Sequence, residues 1–460
     1  MTGFHFKKAI FLVLLVALNF TPAHAERMKL EDPIEFGTVS GVIDRRPHII
    51  QSREEQGKWF LAMWPDQSRF VVQSFEGKSP ELLFETTLPE KAASGATGGI
   101  VETPEGVIAV WWVRDETGPE IEKRMMAGFI PHDRAEKPVT VRLSSKKGQP
   151  LPQVAVASSG NKAVVIWQDE RARKYTLNAS TSEDGGRTFL SEDFVVVPEE
   201  YNPGEPVLAV DAGGTFHLLF KGSRSGKFGI FHTSSEDGRK WEEPEMVASP
   251  KGWAPAYVSI AFLNTKPYVF WAGARGVHYA VKSESGGWKE AAVPDVPQNP
   301  VSRLEVRSTG SAIFVLTDFA KSKRKRGFIP EFGNRPSVYL IRMNQDEGWE
   351  KPIPIRHYPH DTTSAVYGDL YVSPDGKLIA VAWQDFRLVR SNIFINYSTD
   401  GGETWQKEDV NVSENPGCDN EFYPFLFADG KNLHLFWPEY PDDSLNATLV
   451  KLKYREVKLP

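Results

Sequence analysis

An all-β fold built from repeated four-stranded antiparallel units is what the sequence predicts, on three observations. A Ser-x-Asp-x-Gly-x-Thr turn ending in an aromatic residue recurs along the chain. A short apolar run, usually ending in Trp, recurs in step with it. Stretches of helical period are nearly absent over 460 residues.

The first element along the chain is a targeting segment. Lys7 and Lys8 precede the apolar run Ala9–Phe20, which is short for a bilayer span. Ala23-x-Ala25 then supplies a small-residue cleavage signal. We expect a signal peptide over residues 1–25, cut after Ala25, and a secreted or periplasmic protein; an uncleaved anchor is the alternative. No Cys lies near the cut, which argues against a lipid-anchored form. No later stretch is long and apolar enough to span a bilayer, so no membrane span is expected after cleavage.

Residues 26–460 are expected to form a single domain. The full chain's 40% hydrophobic and 25% charged residues are ordinary globular values. Gly and Pro together number 70, in keeping with many turns and short strands. Loss of the leader takes the net charge from -6 to -8, which argues against a nucleic-acid binder. Cys418 is the one cysteine, so no internal disulfide is possible.

The repeat begins near residue 43. Its apolar runs include "VIAVWWVRD", "AVVIWQDER", "YVFWAGAR" and "IAVAWQDFR". Eight such runs are present, and each reads as the second strand of a four-strand unit. Turns such as "SPDGK" (Ser373–Lys377) and "ADGKN" (Ala428–Asn432) join first strands to second as hairpins require. Ser182, Asp184, Gly186 and Phe189 define one polar turn between third and fourth strands. Ser398, Asp400, Gly402 and Trp405 define another, and Ser235, Asp237 and Trp241 a shorter one. Weaker copies end at Trp288 and Trp349. The turns start at 182, 235, 283, 344 and 398, a spacing of 48 to 61 residues.

Units of this kind fit a radial β-propeller of four-stranded antiparallel blades. Eight blades match the eight runs, and seven is the second choice. The last unit runs out after "ATLVKLKY", so "IEFGTVSGV" (Ile34–Val42) is expected to supply its outer strand and close the ring. In the polar turns, Gly permits positive φ, and Ser and Asp oxygens can accept backbone N–H bonds lost at the bend. The terminal aromatic residue can then fold into the blade's apolar layer. A metal loop is the rival reading, but each turn has too few carboxylates; no metal and no cofactor is expected.

The repeated Ser-x-Asp-x-Gly-x-Thr-Trp turn resembles the Asp box (BNR repeat) of the sialidase-like β-propellers. The likeness spreads over residues 43–460 through the repeat and is sharp in two turns. In that family the boxes are structural and lie away from the active face. They speak for fold more than for activity.

The loops after each Trp are rich in Arg. Arg69, Arg171 and Arg387 are candidate ligand-binding residues, since guanidinium forks suit an anion. The alternative is that each pairs with a nearby Asp, as "WQDER" and "WQDFR" permit. The resemblance implies further roles. Arg45 and Arg46, in "RRPHI", stand where the family's first carboxylate-binding Arg lies. Asp66, in "WPDQSR", is similar in position to the acid/base. Tyr367, in "YGDLYVS", resembles the nucleophile, with Gly where the family has Ser. Glu305, in "RLEVRSTG", matches the supporting Glu weakly. The family's enzymes typically have six blades, and no second and third Arg of its triad can be assigned here.

The connection over residues 318–337 is an insertion carrying the basic run Lys321–Arg326. It reads as a solvated loop or as a dock for an acidic partner. Asn178, Asn396, Asn411 and Asn446 open Asn-x-Ser/Thr sequons, which matter only in a glycosylating pathway.

The reading is an exported, monomeric propeller that binds a carbohydrate or protein ligand on its central polar face. An exo-sialidase-type glycoside hydrolase of the retaining kind is the alternative. A scaffold subunit of an envelope or extracellular assembly is a third. Whether the protein is an enzyme is left open by the sequence.

Overall fold

The computed structural model describes residues 29–459, apart from 31, 41–46, 56, 67, 77–78, 89–93, 172, 284–285, 321–334, 359–362, 389, 415–419, 430–431 and 441–448. The leader, Arg45, Arg46, Cys418, Asn446 and the basic run Lys321–Arg326 lie outside the described residues.

The chain forms eight antiparallel sheets in sequence, each a four-stranded blade, arranged as a closed ring: an eight-bladed β-propeller. The inner strands of blades 1 to 8 are His48–Gln51, Ser94–Thr103, Pro150–Ser159, Gly204–Val210, Tyr257–Leu263, Leu304–Ser308, Ala365–Val372 and Phe425–Ala428. Blade 3 shows the pattern, with Pro150–Ser159, Lys162–Arg171, Lys174–Ser182 and Phe194–Val197 paired in order from axis to rim.

Why the second strands read as unbroken apolar runs is clear from their packing. In blade 2, Val107, Ala109, Trp111 and Val113 enter an apolar cluster shared with blade 1. Ile108, Val110 and Trp112 enter one shared with blade 3. Side chains alternate across a strand, and here both faces are buried. Each neighbouring pair of blades shares such a cluster, all the way round to blades 8 and 1.

Closure follows the expected route. Ile34–Ser40 pairs antiparallel with Leu449–Lys458, the third strand of blade 8, and so becomes its outer strand. Lys29–Leu30 extends the same edge. Phe36 on this strand meets the rings of Phe75, Phe436 and Tyr454 at 5.4, 5.5 and 5.1 Å. Phe75 belongs to blade 1, so this strand helps to seal the last seam.

The polar turns occupy one place in successive blades, the link from third to outer strand. Ser182 Oγ accepts from the Gly186 amide at 2.8 Å and donates to Asp184 Oδ1 at 2.7 Å. Asp184 in turn accepts from the Thr188 amide and hydroxyl at 2.9 and 2.6 Å. Ser398, Asp400, Gly402 and Thr404 repeat these bonds, which hold the Asp400 carboxyl down at about 2. Ser235 makes the shorter version with Asp237 and Gly238. The indoles of Trp241 and Trp405 donate to the carbonyls of Gly238 and Gly402 at 3.0 and 3.1 Å. Phe189, Trp241 and Trp405 each pack on the cluster between their own blade and the preceding one. Gly186 lies at φ +106, and a Cβ there would come within 2.5 Å of Ile108 in blade 2. The turn thus clamps one blade to the one before it.

Removing the Phe36 ring should therefore loosen the closing seam. We expect Phe36→Ala to cost about 3–5 kcal/mol in denaturant unfolding. A loss under ~1 kcal/mol would mean that the ring closes without this strand's packing.

Candidate functional site

In a four-stranded meander the second-to-third loops and the blade-to-blade links emerge on one face. The polar turns lie on the other. Inner strands begin on the first face, and there the structure opens two adjoining cavities at the axis. One, of about 520 Å³, is walled by blades 1 to 6. The other, of about 310 Å³, is walled by blades 1, 6, 7 and 8. His48 and Arg303 line both. All eight blades therefore reach this mouth, and both volumes suit a small ligand or part of a larger one.

Irregular backbone aims the side chains here. The pairing of inner with second strand slips between Thr97 and Gly99, Pro150 and Val154, Gly204 and Val207, and Val366 and Asp369. Such bulges turn side chains out of the regular alternation. Glu205, Tyr367 and Tyr423 lie at φ 51, 54 and 49, a region that costs a non-glycine residue about 1–2 kcal/mol. Buried Asp318 holds the mouth together, accepting from the amides of Ser302 at 2.6 Å and Tyr367 at 3.3 Å. The Tyr367 and Tyr423 rings meet edge to face at 5.0 Å. Tyr257 donates its hydroxyl to the Ser302 carbonyl.

A chain of charges joins the inner strands of blades 6 and 7; Arg303 and Glu305 line the cavities, and Arg307 and Asp369 lie off them. Arg303 bonds Glu305 at 2.5 Å, Arg307 bonds the other Glu305 oxygen at 3.0 Å, and Arg307 lies 3.6 Å from Asp369. Asp369 also accepts from the Leu426 amide of blade 8 at 2.7 Å. Its burial and the Glu305 charge push its pKa up to about 6, against the pull of Arg307. His48 is exposed to channel solvent, and the protein packed around it disfavours the imidazolium and lowers its pKa. Its ring is therefore neutral at neutral pH. Lys221 bonds Glu205 on the blade 4 wall of the larger cavity.

Tyr367 and Glu305, singled out from sequence, front the two adjoining cavities. Asp66 lines neither. Its carboxylate closes a turn with the Ser68 and Arg69 amides at 2.8 Å each and bonds the Arg69 guanidinium at 2.6 Å. Partial burial works against its ionisation, yet these bonds outweigh it and hold the pKa down at about 2. Arg69, Arg171 and Arg387 line neither cavity either. Arg171 is held by Asp169 and Asp193, and Arg387 by Asp385 and Asp409 at 2.7 Å each. Asn178 and Asn396 are buried against Asp193 and Asp409. Among the described residues no group of three or more His, Cys, Asp or Glu is placed to hold a metal ion.

His48, Tyr257, Arg303, Asp318, Asp369 and Tyr423 were not singled out in the sequence. A signal for some was present. Arg303-x-Glu305-x-Arg307 puts charged groups at alternate positions at the start of an inner strand, whereas at Tyr367 and Asp369 the register slip and the left-handed backbone break the alternation.

No protein-family model matches the chain, and no curated protein matches it. Among solved structures it is similar to the polysaccharide lyase Uly1, at 13% identity and a TM-score of 0.48, over 78% of this chain and 89% of that one. An ulvan lyase of the polysaccharide lyase family PL25 gives 10% identity and a TM-score of 0.46, over 92% and 95%. The Penicillium chrysogenum α-L-arabinanase complexed with arabinobiose gives 13% and 0.40, over 70% and 99%. Likeness at this distance says nothing of what the chain does.

The Asp369 carboxyl makes the site's charge visible in stability. Its folded pKa of about 6 lies above the ordinary carboxylate value of about 4. The unfolded chain then binds fewer protons between these values, so a penalty grows as pH rises from about 4 to about 6. Thermal melts should show Asp369→Asn raising Tm above pH ~7 and doing least near pH ~4. An equal shift at both pH values would mean the carboxylate carries no such penalty.

Proposed function

We propose that the central mouth binds carbohydrate, and that the protein does so outside the cytoplasm after losing residues 1–25. The observation that supports this most is the gathering of Tyr257, Tyr367 and Tyr423 with Arg303, Glu305 and His48 around one opening. Tyrosine rings give a sugar an apolar face to stack on and a hydroxyl to bond. Arginine and carboxylate supply directed donors and acceptors for ring hydroxyls. The charges are largely paired with one another, so the mouth carries hydrogen-bonding capacity without a strong net field. Backbone strain at Tyr367 and Tyr423 is a cost that the ring sustains at this opening, as binding sites often require.

A glycan array probed with the mature chain, followed by calorimetry on the hits, tests this. Tyr367→Ala and Arg303→Gln should each weaken binding about tenfold or more, a loss of ~1.4 kcal/mol or above, with the fold kept by far-UV circular dichroism. A folded protein silent on the array, or variants that bind as well as the parent, would end the reading. Capture of a protein ligand with the same variant sensitivity would move it to protein recognition.

A hydrolase of the exo-sialidase kind is the second reading, favoured by Tyr367 and Glu305 fronting cavities that share Arg303. Tyr367, its phenolic proton passing to Glu305, would attack the anomeric carbon as the glycosidic bond breaks, and a carboxylic acid would protonate the leaving oxygen. Release of the fluorophore from a fluorogenic sialoside, abolished by Tyr367→Phe, is the expected result. Loss on Asp66→Asn would assign the acid to Asp66, and loss on Asp369→Asn would assign it to Asp369. No turnover by the parent protein removes this reading and leaves binding standing.

A further inference from the structure

A third cavity lies on the same face as the central mouth. It measures about 490 Å³ and is walled by Trp112, Arg114, Ile121 and Lys123 of blade 2 with Gln149, Leu151 and Pro152 at the entry to blade 3. Pro152 also lines the larger central cavity, and that cavity shares His48 and Arg303 with the smaller one. The three therefore lie side by side as one track of adjoining cavities on this face, from blades 2 and 3 past the axis to blades 7 and 8.

We infer that this track holds an internal stretch of a polysaccharide chain, with Trp112 and Ile121 forming an outer subsite away from the central mouth. The inference rests on the carbohydrate reading above and deepens it. A single terminal sugar needs one pocket, whereas here a further open cavity lies beside the mouth across Pro152. Aromatic side chains stand along the track, Trp112 at one end, Tyr257 near the axis and Tyr367 with Tyr423 at the other. The Trp112 indole is packed into the cluster between blades 2 and 3 and held by a 2.7 Å bond from its Nε1 to the Pro150 carbonyl, so it gives this cavity a fixed apolar wall with little surface exposed. Ile121 is exposed beside it. Arg114 and Lys123, paired at the surface with Glu116 and Glu170, offer further donors to ring hydroxyls.

An extended peptide is the other linear occupant, and the backbone disfavours it. A peptide adds to a sheet through a regular ladder on a free edge. The inner-strand edges at this mouth are broken by bulges and by the left-handed residues Glu205, Tyr367 and Tyr423. Sugars bind through side chains and need no such ladder.

Chain-length dependence tests the inference. Ladders from disaccharide to octasaccharide, cut from xylan, arabinan and galacturonan, would be titrated calorimetrically into the mature protein. The expected result is an affinity that climbs with length and then levels off. Ile121→Asp should cut octasaccharide affinity about tenfold and leave disaccharide affinity unchanged; being exposed, this position spares the fold. Trp112→Phe should act in the same direction with a smaller change. Equal affinity for short and long sugars, or an Ile121→Asp variant with unaltered length dependence, overturns the track and leaves carbohydrate binding at the mouth intact. Silence of every ladder together with a silent glycan array removes both.

Discussion

Burial of each blade's two faces against its neighbours is the constraint on which the rest depends. A single four-stranded sheet has no way to hide both sides of a run such as Gly106–Asp115, and the ring solves this by giving every sheet two partners. The solution holds only if the ring closes. Blade 8 takes its outer strand from the N-terminal segment Ile34–Ser40, so the seam between first and last blades is stitched by residues from both ends of the chain. Apolar contact supplies the driving force, and strand exchange between the ends locks it.

A rigid ring can sustain irregularity at its hub. Left-handed tyrosines and slipped registers are costly in an isolated strand. Here they persist because Asp318 binds blade 6 to blade 7 and Asp369 binds blade 7 to both neighbours. The working surface and the structural turns are thereby separated. Ser182, Asp184, Ser398 and Asp400 do their work on the opposite face, where their oxygens replace ladder bonds at a bend.

The Trp-Gln-Asp-x-Arg runs of blades 3 and 7 show how one motif is reused with a difference. In both, the Asp accepts from the preceding Trp indole and from the following Arg. Blade 7 adds Arg356, which binds Asp385 through two bonds of 2.9 Å, and Tyr358 lies 4.8 Å from both guanidinium groups. Arginines that looked available for a ligand are thus already neutralised inside their own blade. Breaking such a buried pair leaves an uncompensated charge, at a cost of about 3–5 kcal/mol. These arginines serve the blade's shape, and the cations that line the mouth are Arg303 and Lys221.

What the sequence determined by itself was periodic: strand order within a unit, the place of the polar turns, the number of units and the strand that closes the ring. Each of these is written in local spacing, through alternation, glycine at bends and a Trp at the end of a run. What only the tertiary structure decided was which side chains meet at the axis. His48, Arg303, Asp318, Tyr367 and Tyr423 are separated by tens to hundreds of residues and converge only when eight sheets radiate from one line. Positive φ at Tyr367 and Tyr423 leaves no mark in composition either, because the conformation is imposed by the neighbours and not by the residue. Periodicity is a property of nearby residues, and a hub is a property of the whole ring.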